Sequence, residues 1–415
     1  MKVLLSAFYC RPTLGSDSAV GWNWAREIAA RGNQVFVITR TSNRDAIEAA
    51  ISRDPVPSLQ FLFHDLPPAI RLLAHAPFFS YVYYLVWQFT AAKAAIKAHA
   101  REHFDLVQHV TMASFRFPTF MWKLGIPLIF GPVGGGEDTP PKLRSGLGLR
   151  GRLWDWPRRF SNWLVAWDPL MKATYSHATQ IVVTTHETLR EIPLTYRSKT
   201  RVQPTIGLGA IAGCTSKHRT AARSTLNLLF AGRLLPWKGL HLGLKAMAAL
   251  GPDVQKIHLT VVGSGSDEKR LKHLARRLGI QDCVTWIPWM DRKDLIDFYS
   301  QFDLFLFPSL HDSGGLVVLE AMSFGLPVLC LDLGGPAMSV DNTCGRVIPT
   351  PNRSEEQVVQ LMSECLHELL ADPAILESLS HATRSRAASL SWQAVIAATY
   401  NSFSTCLPTA DLSRR

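Results

Sequence analysis

Asp312 and Glu320 lie on either side of Gly314 and Gly315 in the stretch "PSLHDSGGLVVLEAMSFGLPV" (308–328). The apolar run before Pro308 reads as a strand, and the residues from Leu316 onward read as a helix. Two carboxylates therefore bracket a glycine turn at a strand-to-helix junction. Glycine lets a ligand approach the backbone closely. The unsatisfied N–H groups at a helix start favour an anion such as phosphate. Asp312, in the turn, is placed to accept hydrogen bonds from hydroxyls. Glu320, about one turn into the helix, can reach a diol such as a ribose. The alternative reading is that Asp312 merely caps the helix and Glu320 is solvated.

A second stretch, "FAGRLLPWKGL" (230–240), repeats the strand, glycine turn and helix. Arg233 and Lys238 flank its turn, so two cations and a helix start converge. That combination suits a diphosphate. The chain has no G-x-x-x-x-G-K-[ST], so this is not a P-loop.

The elements that must position these residues fall into two similar halves. In the first, "KVLLSAF" (2–8), "QVFVIT" (34–39), "DLVQHV" (105–110), "PLIFGPVGGG" (127–136) and "QIVVTT" (180–185) read as short apolar strands. In the second, "LNLLFAG" (226–232), "IHLTVVG" (257–263), "CVTWIPW" (283–289), "FDLFLFPS" (302–309) and "PVLCLD" (327–332) do so. Helical stretches lie between them, which implies βαβ units and parallel sheets. The Pro- and Gly-rich "VQPTIGLGA" (202–210) marks the link. The expected division is a first domain over 1–205, a second over 206–390, and a last helix and tail over 391–415 packing back on the first. Two doubly wound domains facing each other would leave an inter-domain cleft at the carboxyl ends of both sheets.

The 415-residue chain is long enough for such a pair, and its 47% hydrophobic and 19% charged composition supports a sizeable core. Seven scattered cysteines, with no C-x-x-C, read as reduced thiols in a cytosolic protein. "MKVLLSAFYC" reads as a first buried strand, not a signal peptide. Pro77–Ala95 contains Gln88 and Lys93 and is too short to span a membrane; a buried or interfacial helix is expected. The net charge of +11 sits almost wholly in residues 1–210, with 24 Lys+Arg against 14 Asp+Glu. A basic half suits an anionic lipid surface or a phosphorylated substrate. No nucleic-acid module is recognisable, so nucleic acid is not expected as a partner.

"AGRLLPWKG" followed by "HDSGGLVVLEAMSFGLPV" resembles the retaining glycosyltransferases of the GT-B fold, in particular family 4. The resemblance implies two facing Rossmann-like domains and a sugar-nucleotide donor, UDP- or GDP-linked, held mostly by the second. It implies no metal and no other cofactor. Arg233 and Lys238 would hold the donor diphosphate, assisted by Gly314, Gly315 and the helix start at Leu316. Asp312 would contact the transferred sugar and Glu320 the ribose hydroxyls. The chain departs from the family at Asp312, one methylene shorter than the usual glutamate, and at Gly314, where an aromatic is common. Both departures bear on the donor sugar more than on the reaction type.

The resemblance continues in "PTLGSDSAVGWNWAREIAARGNQVFVIT" (12–39), where Gly15 would lie next to the diphosphate. His109, near the end of "DLVQHV", would be the histidine close to the reacting sugar, although its register is one residue short of the pattern. "VTWIPWM" (284–290) resembles the segment that cradles the nucleobase; core tryptophans are the alternative. "GPVGGGEDTP" (131–140) reads as a wall of the sugar or acceptor pocket. "VVGSGSDEKR" (261–270) is a glycine turn equally consistent with a structural role.

Residues 142–167, "KLRSGLGLRGRLWDWPRRFSNWLVAW", interleave basic residues with Trp154, Trp156, Trp163 and Trp167. That pattern suits an anionic membrane surface; a solvated basic loop and a buried amphipathic helix are the alternative. The expected acceptor is thus a glycan or lipid-linked intermediate of a cell-surface polysaccharide, at the cytoplasmic face of the plasma membrane. A soluble acceptor and an inactive sugar-binding scaffold of the same fold stay open. An NAD-linked oxidoreductase is disfavoured, because "SAFYCRPTLGS" lacks G-x-G-x-x-G after the first strand.

Overall fold

A computed structural model describes residues 1–12, 17–67, 70, 80–209 and 225–405. Two compact units form, each around one parallel sheet.

The first unit comprises Met1–Gly136, Phe160–Ile206 and Trp392–Arg415. Its strands are β1 (Lys2–Ala7), β2 (Gln34–Thr39), β3 (Leu59–Phe63), β4 (Leu106–Thr111), β5 (Leu128–Val133), β6 (Gln180–Val183) and β7 (Thr200–Val202). They are ordered β3-β2-β1-β4-β5-β6-β7. The apolar runs in the central strands serve both faces of the sheet. On one face Val3, Leu5, Val35 and Val37 pack with Trp24 and Ile28 of the helix Asp17–Ala30. Trp392, Ile396 and Tyr400 of the helix Trp392–Ser404 complete that layer. On the other face Leu4, Phe36, Val107 and Phe130 pack with Tyr84, Trp87 and Ala91 of the helix Ser80–Glu102.

Buried polar side chains lock the late helix in place. Tyr400 donates to Gln108 Oε1 at 3.0 Å, and Thr399 donates to Gln203 Oε1 at 3.0 Å. Gln203 in turn donates to the Val395 carbonyl. These partners satisfy groups that would otherwise be costly to bury.

The second unit comprises Glu137–Arg159 and Gly207–Ser391. Its strands are β8 (Leu226–Ala231), β9 (Ile257–Val262), β10 (Val284–Ile287), β11 (Leu304–Phe307), β12 (Val328–Leu331) and β13 (Gly345–Ile348). They are ordered β10-β9-β8-β11-β12-β13. Each sheet reverses strand order once, between β1 and β4 and between β8 and β11. In such sheets the carboxyl edge at the reversal is where ligands bind.

Three features differ from the sequence reading. Glu137–Arg159 groups with the second unit, although it precedes the expected link by more than 40 residues. Strands β3, β7 and β13 were not anticipated, and all three are sheet edges. The Pro77–Ala95 stretch contributes to the helix from Ser80, which buries Tyr84 and Trp87 and exposes Val82 and Phe89. No described helix is long and apolar enough to cross a membrane. Cys10, Cys283, Cys330 and Cys344 are buried free thiols, and Cys365 is half-buried and free. Cys214 and Cys406 lie outside the described residues.

Candidate functional site

The loops following β8, β9, β11 and β12 meet at the carboxyl edge of the second sheet, and glycines let them do so. Gly239 has φ +70°, and a Cβ there would collide with the Pro308 carbonyl. The β8 and β11 loops are therefore pressed together, and Gly239 is a position only glycine fills comfortably. Leu310 N donates to Trp237 O at 2.8 Å, and the Trp237 ring stacks on His311 with centroids 5.3 Å apart. Gly263 and Gly265, after β9, likewise pack against the carbonyls of Gly232 and Leu234. The glycines of "VVGSGS" thus serve backbone packing.

This arrangement brings Lys238 onto Asp312 as an ion pair with both side chains largely buried. Arg233 stays exposed and has no ion-pair or hydrogen-bond partner among the described residues. The helix Leu316–Ser323 starts at Gly315, which is left-handed (φ +71°, ψ +45°), and no side chain caps it. The alternative in which Asp312 merely caps this helix does not hold. Backing the turn is a loop the sequence reading did not single out, Gly334-Gly335 after β12. Gly335 N donates to Asp312 O at 2.6 Å, and a Cβ on Gly334 would strike that same carbonyl. A Gly-Gly pair directly after a strand was the available signal.

Glu320 is not solvated; it is 3% exposed. Its Oε1 accepts from Arg292 Nε at 2.8 Å and lies 2.7 Å from Arg292 Nη2. Its Oε2 accepts from Tyr299 at 3.5 Å. Burial raises the Glu320 pKa, while Arg292 and the Tyr299 hydroxyl pull it back. Arg292 opens the helix Arg292–Phe298 after β10, so the "VTWIPWM" segment ends beside Glu320. Trp289 in that segment is 76% exposed, so it is not a core tryptophan. Cations, N–H groups, an aromatic face and carboxylates thus collect on one sheet edge.

Solved structures share this architecture. Anabaena HepE in complex with UDP aligns over 98% of this chain and 100% of its own length, at TM-score 0.63 and 15% identity. Sucrose-phosphate synthase from Thermosynechococcus elongatus aligns over 97% of this chain and 98% of its own, at TM-score 0.60 and 19% identity. The family model described as Glycosyl transferases group 1 matches residues 217–385, and Glycosyltransferase Family 4 matches residues 20–205. The two halves of the chain match these two glycosyltransferase models in turn, and its fold is the GT-B fold.

A curated relative of this GT-B chain, D-inositol 3-phosphate glycosyltransferase from Streptomyces bingchenggensis, is 32% identical over 198 residues. That match covers 44% of the chain and 42% of the relative. A Haemophilus influenzae protein described as an uncharacterized glycosyltransferase is 32% identical over 143 residues, 34% of the chain and 40% of that protein. The chain thus matches less than half the length of these curated relatives.

The residues expected from the first half of the GT-B chain are more dispersed. Gly15 lies outside the described residues. His109 is wholly buried inside β4, stacked on Phe130 at 5.4 Å. Its Nε2 lies 3.4 Å from Met112 O and its Nδ1 3.5 Å from Gln88 Nε2. Burial lowers its pKa to about 4, so the ring is neutral near pH 7. It reaches the end of its strand only through Met112.

The basic, Trp-rich segment forms a 3-10 helix over Pro141–Leu147 and an α-helix over Gly148–Val165. Arg144, Arg158 and Arg159 all pair with Asp138, at 2.8, 3.2 and 3.2 Å. Half of the segment's six early basic residues are therefore committed to one carboxylate. The side chains at 149, 150 and 152–155, Trp154 among them, lie outside the described residues. The aromatics beyond them are outward. Trp156, Trp163 and Trp167 are 65%, 60% and 67% exposed, and Phe160 and Leu164 are exposed with them. Residues 156, 160, 163 and 164 recur with helical spacing on one face of this helix, and Trp167 is exposed in the turn just beyond it.

Proposed function

We propose that this chain transfers a sugar from a nucleoside-diphosphate donor to a hydroxyl acceptor, with retention of configuration. The observation that carries the reading is the convergence at the carboxyl edges of β8 and β11. There Arg233, Lys238 and the uncapped start of the Leu316–Ser323 helix stand beside Asp312 and the buried Glu320. The cations and N–H groups stabilise charge developing on the leaving diphosphate. Asp312 orients the transferred sugar and Glu320 the ribose. The leaving diphosphate takes the acceptor's proton on the face from which it departs. Arg233 and Lys238 meet the diphosphate charge without a metal, and turnover unaffected by EDTA is expected. HepE was solved with UDP, and that supports a UDP-linked donor here.

A panel of UDP, GDP, ADP and CMP tests the donor site by thermal shift. A ligand at 100 times its Kd stabilises by about 2.7 kcal/mol, a readily measured rise in Tm. One nucleotide should stabilise the wild type and fail to stabilise Glu320→Ala. If none stabilises the wild type, the donor reading is wrong. If one does but no donor sugar turns over, the chain is an inactive sugar-binding scaffold.

The acceptor in this reading is a lipid-linked or cell-surface polysaccharide intermediate, met at the cytoplasmic face of an anionic membrane. The outward aromatic face from Trp156 to Trp167 supports it, with Lys172 set 5.7 Å from the Trp167 ring. Each interfacial aromatic contributes on the order of 1.5 kcal/mol, or about tenfold in affinity. Trp163→Ser/Trp167→Ser should therefore weaken binding to phosphatidylserine-containing vesicles by about a hundredfold. Equal co-sedimentation of wild type and variant would favour a soluble acceptor.

A further inference from the structure

The carboxylate assigned to the ribose comes with a cation that neither loop motif supplies. Glu320 lies in the helix Leu316–Ser323, and Arg292 reaches it from the start of the helix Arg292–Phe298, 28 residues away in the chain. Both guanidinium contacts, from Nε at 2.8 Å and Nη2 at 2.7 Å, go to the same oxygen, Oε1. The other oxygen, Oε2, accepts only a long hydrogen bond from the Tyr299 hydroxyl, at 3.5 Å. Oε2 therefore keeps most of its accepting capacity. The nearby carboxylate Asp312 has its own counter-ion in Lys238. Among the described residues, Arg292 and Tyr299 are the charged and titratable groups that act on Glu320.

We propose that Arg292 is a positioning residue for donor binding, whose grip on Oε1 fixes the Glu320 carboxylate as a charged acceptor for the ribose hydroxyls. The proposal rests on the donor site assigned above. A diol offers two donors, and an ionised carboxylate is acceptor-only, so it meets both. A protonated carboxyl gives up part of that capacity, because one oxygen then carries a proton. Burial works against the charged form of Glu320, and Arg292 opposes that effect. Without the arginine, so buried a carboxylate would sooner take up a proton than stay charged without a partner. A buried ion pair adds little net stability over an apolar pair. Its effect here is on the ligand: the arginine acts through Glu320 and touches no part of the donor.

The test measures dissociation constants of UDP and 2′-deoxy-UDP from pH 6 to pH 8 for the wild type, Arg292→Gln, Glu320→Gln and the double variant. If the nucleotide panel selects guanine, GDP and its 2′-deoxy form replace them. The wild type should prefer UDP by about tenfold, the lower end for a hydrogen bond to a charged group. Arg292→Gln should lose most of that preference at pH 6 and regain part of it by pH 8. The sign follows from the charge: losing the arginine raises the Glu320 pKa, so the carboxylate is most depleted in acid. Ratios to the wild type at the same pH cancel the titration of the ligand's own phosphate. Glu320→Gln should lose the preference at every pH, and adding Arg292→Gln to it should change the UDP affinity by about twofold at most. Losses that add in the double variant would place Arg292 on the ligand itself and overturn the proposal. So would a full preference for UDP in Arg292→Gln, or a loss there that is the same at every pH. If Arg292→Gln does not fold, the double variant, which buries no charge at this position, still decides through its comparison with Glu320→Gln. A wild type that binds both ligands equally would remove the ribose from Glu320 and sink this proposal while leaving the diphosphate site standing. If the wild type binds no nucleoside diphosphate at all, the donor-site reading fails and takes this proposal with it.

Discussion

Arg233→Ala is expected to lower kcat by about 100- to 1000-fold and leave the melting temperature unchanged. The magnitude is that of removing one preorganised donor aimed at charge that builds in the transition state. The separation of activity from stability follows from the surroundings. Arg233 is exposed, and no described residue pairs with it, so truncation strands no partner. Lys238→Ala differs in kind. It would leave Asp312 unpaired in a largely buried setting and mix a stability loss into the rate. Arg233→Lys should recover only part of the rate, because an ammonium does not reproduce the planar fork of the guanidinium. The check is kcat at saturating donor, with Tm measured on the same preparations. A kcat within threefold of wild type for Arg233→Ala would remove Arg233 from the diphosphate site.

The second large effect is on stability in acid, and it centres on His241. This side chain is 1% exposed, and neither ring nitrogen has a hydrogen-bond partner among the described residues. Its Nε2 faces Gly146, where an added Cβ would clash with it. Burial lowers its pKa to about 3, with Arg270 and Lys245 adding repulsion. In the unfolded chain the group titrates near 6.5. Between those values the unfolded chain holds a proton that the folded chain does not. The folded state is therefore at its best above pH 6.5 and loses about 1.4 kcal/mol per pH unit below it. Between pH 6.5 and 4 the loss is about 3 kcal/mol. His109, lowered to about 4, adds a similar loss over the same window. His241→Phe should remove the first contribution and be near neutral or stabilising at pH 7, because it replaces unsatisfied polar atoms. Urea unfolding at pH 7.0 and 4.5 reads both values. The same acid loss in His241→Phe as in wild type would show that other groups dominate.

The central strands were readable in the sequence because each is mostly apolar and has sheet neighbours on both sides, and β10, an edge strand, was readable from its β-rich run as well. Strands β3, β7 and β13 were not. Each is an edge strand with mixed burial, so "LQFLF", "TRV" and "GRVI" carry no clean period. The Arg233–Lys238 and Asp312–Glu320 loops were legible because glycine, cation and acid fall at fixed offsets from a strand end. What the sequence did not disclose was how the loops meet. Arg292 reaching Glu320 and Glu137 reaching Ser313 are contacts at separations of 28 and 176 residues. No local pattern encodes such contacts. The Glu137–Arg159 segment was misplaced for a similar reason. Its ties, Lys142 to Asn352 O and Arg270 to Gly146 O, run to distant parts of the chain.

The helix Trp392–Ser404 gives the first unit an unusual dependence on synthesis order. Its apolar side covers Trp24, Ile28 and the strand face beneath them. Yet it leaves the ribosome well over a hundred residues after Ile206. At about 5–20 residues per second, that is a wait of roughly 10–40 s. Until then the nascent first unit carries an uncovered hydrophobic face and unpaired groups on Gln108 and Gln203. Residues 1–206 alone should therefore be poorly soluble, whereas a fusion carrying 392–405 after a short linker should not be. The two sheets look like separable modules, but in the order of translation the earlier one is finished last.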